Sequence, residues 1–149
     1  MFTGIISNVG TLINLEDNEI LKARILCHYD YQTIKEGGSI MHDGICLTIF
    51  NKRKEKIGIS YEVEVSNETQ SKTTIRDKKV GWFIGKKINL ERSLRLGDEL
   101  GGHIVTGHID GITKLINLEK IDKSSKLTFD APKQFTKYIA PKGSIALNG

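Results

Sequence analysis

Three titratable side chains crowd into eight residues of this chain: His103, His108 and Asp110. Imidazoles bind metals and exchange protons near neutral pH, and a carboxylate can join either task. The spacing argues against a metal. On an extended strand, residues five apart face opposite sides, and no HExxH pair, cysteine pair or third converging ligand accompanies them. The two cysteines, Cys27 and Cys46, make no CxxC motif and no disulfide framework. Each lies in an apolar run, where a buried, inert thiol is the ordinary outcome. A nucleophilic Cys46 would need neighbours that favour its thiolate. Lys142, in Pro141-Lys142-Gly143, reads as a loop lysine, and His28 and His42 as surface or loop residues.

These groups are distributed by a repeat. Residues 2–16 and 105–119 match at eight of fifteen positions when shifted by 103: Thr3/Thr106, Gly4/Gly107, Ile6/Ile109, then Leu12 to Glu16 against Leu115 to Glu119. Gly38 to Gly44 and Gly143 to Gly149 match at four of seven, shifted by 105. Repeats of solenoids run about 20–50 residues; a unit of about 100 is a small domain. The expected organisation is one complete module, 1–103, followed by an incomplete one, 104–149. Chemical groups differ between the copies: Ile5 becomes His108, Ser7 becomes Asp110 and Gly37 becomes Lys142.

Bulk composition narrows the partners. The 149 residues hold 22 basic and 18 acidic side chains, a net charge of +4. That is weak support for a polyanion partner, and no aromatics are interleaved with the basic residues for base stacking. The dense stretch Lys52 to Lys56 reads as a solvated hairpin tip. No signal peptide and no apolar run near the ~18 residues of a membrane span are present. The chain reads as cytoplasmic, with no nucleic-acid and no membrane partner.

The positioning elements are mostly strands. Ile57, Ile59, Tyr61, Val63 and Val65 alternate with polar residues or glycine across Lys56–Val65, and Leu21, Ala23, Ile25 and Cys27 alternate in the same way against Lys22 and Arg24. Gly4–Leu15, Ser39–Phe50 and Lys87–Glu91 read as further strands. Short helical turns are expected at Tyr29–Lys35 and Gln134–Ala140, with Arg92–Leu96 as another. Leu96-Gly97-Asp98 and Gly101-Gly102 mark the junction between modules. The fold class is all-β: two tandem closed antiparallel barrels with short helices, the second incomplete.

The ordered motifs carry a specific resemblance. The opening Met1 to Ile6, Gly44-Ile45-Cys46-Leu47-Thr48, Ser66-Asn67-Glu68-Thr69, Ile88 to Leu94, and Gly101-Gly102-His103-Ile104-Val105-Thr106-Gly107-His108-Ile109-Asp110-Gly111 resemble segments of the riboflavin synthase family of paired lumazine-binding barrels. The likeness runs over the whole chain. Asp43 stands where that family usually has Asn, and Gln70 where it has Leu; beyond Asn148-Gly149 the family continues with a V-S-L-T segment.

The resemblance implies an enzyme that takes two molecules of 6,7-dimethyl-8-ribityllumazine and yields riboflavin and 5-amino-6-ribitylamino-uracil, without metal or organic cofactor. It implies a pocket in each barrel and a homotrimer whose active sites lie between subunits. Cys46, His108, Ser39 and His103 are the implied catalytic residues. Substrate contacts are implied for Gly4, Ile5 and Ile6 at the ring edge, and for Cys46, Leu47 and Thr48. Glu64, Val65, Ser66, Asn67, Glu68 and Thr69 would wrap the pyrimidine edge and ribityl tail. Gly107, His108, Ile109 and Lys142 would serve the second pocket, and Phe2 and Thr3 a neighbouring subunit's ligand. Each residue also has an ordinary reading: Gly4–Ile6 as a crowded barrel strand, Phe2 as a buried anchor, Ser39 as a strand start, Glu68-Thr69 as a helix or turn start. Two other functions fit a barrel: a lumazine- or flavin-binding module without catalysis, including an inactive fragment, and, far more weakly, an oligonucleotide binder.

Overall fold

The computed structural model describes all 149 residues. Six antiparallel strands form a closed barrel: β1 (Asn8–Asp17), β2 (Leu21–Cys27), β3 (Ser39–His42), β4 (Ile45–Lys54), β5 (Ile59–Val65) and β6 (Lys87–Arg92). Their order around the barrel is β1-β2-β5-β4-β3-β6, and β6 closes on β1. A short 3-10 turn spans Tyr31–Thr33, and helix α1 spans Asn67–Lys72. Alternation dictates the inside. Leu21, Ala23, Ile25 and Cys27 point inward on β2, as do Ile59, Tyr61, Val63 and Val65 on β5, and all are buried. Closure pairs every strand edge, so none is left to recruit another chain.

The chain divides into two compact units. The first is Met1–Asp110 with Ala146–Gly149, and the second is Gly111–Ile145. The second holds a hairpin of β7 (Lys114–Ile121) and β8 (Ser124–Asp130) with a short helix α2 (Lys133–Thr136). Repeat positions 12–16 thus fall on β1 and their mates 115–119 on β7, strands that each open a hairpin.

Several elements differ from the sequence reading. Ser39–Phe50 is two strands, because Asp43 and Gly44 both take positive φ (46° and 89°) and make a two-residue hairpin turn. The β5 strand starts at Ile59: Gly58 turns at φ 81°, and Ile57 stands in solvent. The expected strand Gly4–Leu15 begins at Asn8, since Gly4 at φ 81° breaks the extended run. No helix forms at Arg92–Leu96; β6 runs through Arg92, and a turn closes where Asp98 N–H donates to Arg95 O. The helical turn of the second unit is shorter than Gln134–Ala140 and starts one residue earlier, after Pro132.

His42 overturns its surface assignment. It is fully buried in β3, with Nε2 at 2.9 Å from Tyr61 Oη and the Tyr61 and Trp82 rings beside it; Nδ1 has no partner. The period-two pattern runs through it, since Ile40 also points inward. Burial pushes the imidazole down to about 4 from an ordinary 6.5. Above pH 6.5 both folded and unfolded chains hold it neutral. Below that, the unfolded chain takes up a proton that the folded chain refuses until about pH 4. Stability is therefore lost as pH falls across this window, by roughly 3 kcal/mol at ~1.4 kcal/mol per unit. Urea denaturation at pH 7 and pH 4.5 should show a larger loss for the native chain than for His42→Gln. Equal losses would mean that His42 is already charged or solvated in the folded state.

Candidate functional site

The barrel's outer face carries the residues of interest. On β4, Ile45, Leu47 and Ile49 enter the core, so Cys46 and Thr48 face outward. On β3, Ile40 and His42 enter, so Ser39 and Met41 face outward. On β6, Ile88 and Leu90 enter, so Glu91 faces outward. Strand register then aligns three of them in a row across adjacent strands: Cys46 opposite Met41, and Met41 opposite Glu91. Ser39 pairs with Thr48 two residues further along.

An arm covers this row. Phe2 and Val105 form an isolated antiparallel bridge, with Phe2 N–H donating to Val105 O at 2.8 Å and Val105 N–H to Phe2 O at 3.0 Å. Phe2, Met41 and Val105 make a small buried cluster outside the barrel, with Cys46 against it. Glu91 is buried, and its carboxylate accepts from Thr3 N–H (2.6 Å), Thr3 Oγ1–H (2.8 Å) and Gly4 N–H (3.0 Å). His103 N–H donates to Thr3 O at 3.1 Å, and its ring borders Gly4, with Cε1 3.6 Å from where a Cβ on that glycine would stand. Cys46 N–H donates to Gly107 O at 2.8 Å. The fold thus gathers Gly4, Cys46, His103 and Gly107, and it carries the exposed His108 one residue past Gly107.

The repeat is visible in this geometry. Thr3 Oγ1 accepts from Ile5 N–H at 3.2 Å, and Thr106 Oγ1 accepts from His108 N–H at 3.3 Å; the following glycines have φ 81° and 77°. Phe2 and Val105, which bridge each other, are repeat mates. So are Gly44 and Gly149, where a Cβ on the first would lie 2.8 Å from the nitrogen of the second.

A second group lies where β5 runs into α1. Val63 pairs with Ile49 on β4, and Glu64 and Thr48 each stand one residue beyond that pair, facing outward. Glu64 meets Lys22 Nζ at 3.1 Å. Ser66 caps α1: its Oγ accepts from Thr69 N–H at 3.2 Å and donates to Thr69 Oγ1 at 3.0 Å. Asn67 and Glu68 are exposed, so the helix start and a hydroxyl-rich rim are the same residues. Leu47 and Val65 put their side chains into the core, which leaves only their backbone to meet a ligand. Ile5 is exposed, and Ile6 and Ile109 are half-buried. Lys142 is exposed in the second unit, at φ 60°. The two concavities on the first unit lie elsewhere. One of about 490 Å³ opens beside Tyr31, Glu36 and Lys52, and one of about 300 Å³ between Arg76 and Trp82. Neither is lined by a residue named above as a site candidate.

Sequence reasoning assigned Glu91 and Met41 no role, because an outward position on a strand looks the same whether water or an arm covers it. Cys27 is in the core, and burial pushes its thiol up to about 11. No group of three or more His, Cys, Asp or Glu side chains is placed to hold a metal ion.

Residues 3–93 and 106–149 each match the family described as "Lumazine binding domain". The riboflavin synthase of Brucella abortus (strain 2308) is 42% identical over 151 aligned positions, which cover 100% of this chain and 73% of that protein. The chain belongs to the riboflavin synthase family. The riboflavin synthase of Chlamydia trachomatis is 43% identical over 113 positions, covering 76% of this chain and 51% of that protein; the Bacillus subtilis enzyme is 33% identical, with 100% and 66% covered. Among solved structures, LumP complexed with riboflavin superposes with a TM-score of 0.69 at 22% identity, over 93% of this chain and 72% of that one. That likeness is one of fold.

Against the family pattern, the two departures have local explanations. Asp43 sits in the hairpin turn, and its carboxylate accepts from Asn89 N–H at 2.8 Å. Gln70 is buried; its Nε2 donates to Val65 O at 2.8 Å and its Oε1 accepts from Arg76 Nε at 2.6 Å, while the Arg76 guanidinium also holds Asp17. The amide thus ties α1 to the end of β5 and, through Arg76, to β1.

Gly107 offers a direct test of the close approach at Cys46. A Cβ there would stand 2.7 Å from Cys46 Cβ and 3.1 Å from Cys46 N, on a residue at φ 77°. Gly107→Ala should destabilise the first unit by about 1–3 kcal/mol through overpacking and strain, measured by urea denaturation. An unchanged midpoint would show that residues 103–108 do not lie on Cys46 in solution.

Proposed function

We propose that the chain carries the reaction of its family: of two molecules of 6,7-dimethyl-8-ribityllumazine, one passes a four-carbon unit to the other, and they leave as 5-amino-6-ribitylamino-uracil and riboflavin. The observation that supports it best is the docking of Gly107, in the second repeat, onto Cys46 of the first, beside Gly4 and His103. A reaction between two copies of one flat heterocycle needs mainly orientation and proton movement. The repeat supplies related surfaces for the two copies.

Residue roles follow from chemistry and placement. Backbone at Gly4, Ile5 and Ile6 and the hydroxyls of Thr48, Ser66 and Thr69 meet the ring edge and the ribityl polyol, with Glu64, Asn67 and Glu68 beside them. Leu47 and Val65 contribute backbone only. Cys46, Ser39 and His103 border the reacting rings. His108, an exposed imidazole where the first repeat has Ile5, exchanges the proton lost from the acidic C7 methyl group. Lys142, in place of Gly37, offers positive charge to an anionic ring oxygen, and Gly107 and Ile109 are substrate contacts from the second repeat. Two modules, 1–103 and 104–149, a homotrimer with Phe2 and Thr3 reaching a neighbour's ligand, and a cytoplasmic location complete the reading. No helix is long and apolar enough to cross a membrane.

Incubation of the chain with 6,7-dimethyl-8-ribityllumazine should produce riboflavin absorbance. His108→Ala should lower turnover roughly 100-fold, the scale of a lost general acid–base group, with lumazine affinity from fluorescence titration within about threefold. Binding without product would favour the binding-module reading. Turnover untouched by His108→Ala would remove the proton-exchange role.

A further inference from the structure

We propose that Glu91 is the positioning residue of the substrate surface, fixing the arm Phe2–Ile6 and, through it, His103. The inference rests on the proposed lumazine-binding reading for its functional consequence, and on geometry alone for the arm. Glu91 is 4% exposed although its side chain points away from the barrel core. All three of its partners are donors from the arm: two backbone N–H groups and one hydroxyl. Charge-assisted bonds of this kind are about twice as strong as neutral ones. They take up donors that the arm could not otherwise satisfy, because Thr3 is itself buried.

The consequence passes along the backbone. With Thr3 and Gly4 clamped, Gly4 adopts φ 81°, which turns the chain so that Ile5 is exposed and Ile6 half-buried before β1 begins at Asn8. Thr3 O is left facing His103 N–H, which it accepts at 3.1 Å. Phe2, one residue earlier, closes over Met41, the residue between Glu91 and Cys46 in the row. One carboxylate therefore sets the register of ring-edge backbone, His103 and the cover over Cys46, without itself being placed at the ring.

Glu91→Gln keeps size and shape but turns an amide N–H toward one of the three donors. Hydrogen exchange and lumazine fluorescence titration on the native chain, Glu91→Gln and Thr3→Val test the proposal. In Glu91→Gln, exchange should speed at least tenfold at Thr3, Gly4 and His103 while the amides of β2 and β5 keep native protection, and lumazine affinity should fall at least tenfold. Thr3→Val, which removes one of the three donors to Glu91 together with the acceptor of Ile5 N–H, should show the same pattern more weakly at Gly4 and His103, with exchange speeded at Ile5 as well. Protection at Thr3 and Gly4 unchanged in Glu91→Gln would overturn the proposal, and so would native affinity in a variant whose arm exchanges freely. Faster exchange spread evenly over β2 and β5 would mark Glu91 as a general stability residue and also overturn it. If the native chain bound no lumazine, the functional reading would fail, and the exchange result alone would decide the arm.

Discussion

The reciprocal bridge between Phe2 and Val105 is the contact on which the site's geometry depends. Together with the His103–Thr3 and Cys46–Gly107 hydrogen bonds it holds residues 103–107 along the outside of the first barrel, over a Cys46 that would otherwise be an ordinary outward thiol. The bridge satisfies two backbone donors at once and buries a phenylalanine outside the main core. Its two residues are equivalent by the repeat, so a single local conformation serves both sides. The matching turns at Thr3-Gly4 and Thr106-Gly107 are how that equivalence is built into the backbone.

The barrel beneath acts as a rigid rack. Its interior is filled by side chains from all six strands, including a fully buried histidine held against Tyr61. Chemistry is therefore pushed to the outer face, where alternation places Cys46, Thr48, Glu64 and Glu91.

Much of this was legible in the residues. Period-two alternation located β2 and most of β5, and the ordered motifs pointed to the family. Strand ends were less legible, because Gly58 and the Asp43-Gly44 pair act through positive φ that neighbouring apolar residues mask. His42 was misread because histidine is amphipathic and its burial depends on Tyr61, a residue 19 positions away. Glu91 was readable only as a letter in a motif. Its importance comes from an arm 88 positions distant, and local pattern carries no information about such a partner. Gln70 likewise gained meaning only once Val65 O and Arg76 were seen on either side of its amide.

The claim most open to direct contradiction is where the heterocycle sits. Amide chemical shifts of the isotopically labelled chain, followed during titration with 6,7-dimethyl-8-ribityllumazine, address it without requiring turnover. The account predicts saturable shifts at Ile5, Ile6, Thr48 and Ser66 to Thr69 on the barrel's outer face, with His103 following. Shifts confined instead to the depression at Tyr31, Glu36 and Lys52, or to the barrel interior around Tyr61, would contradict it.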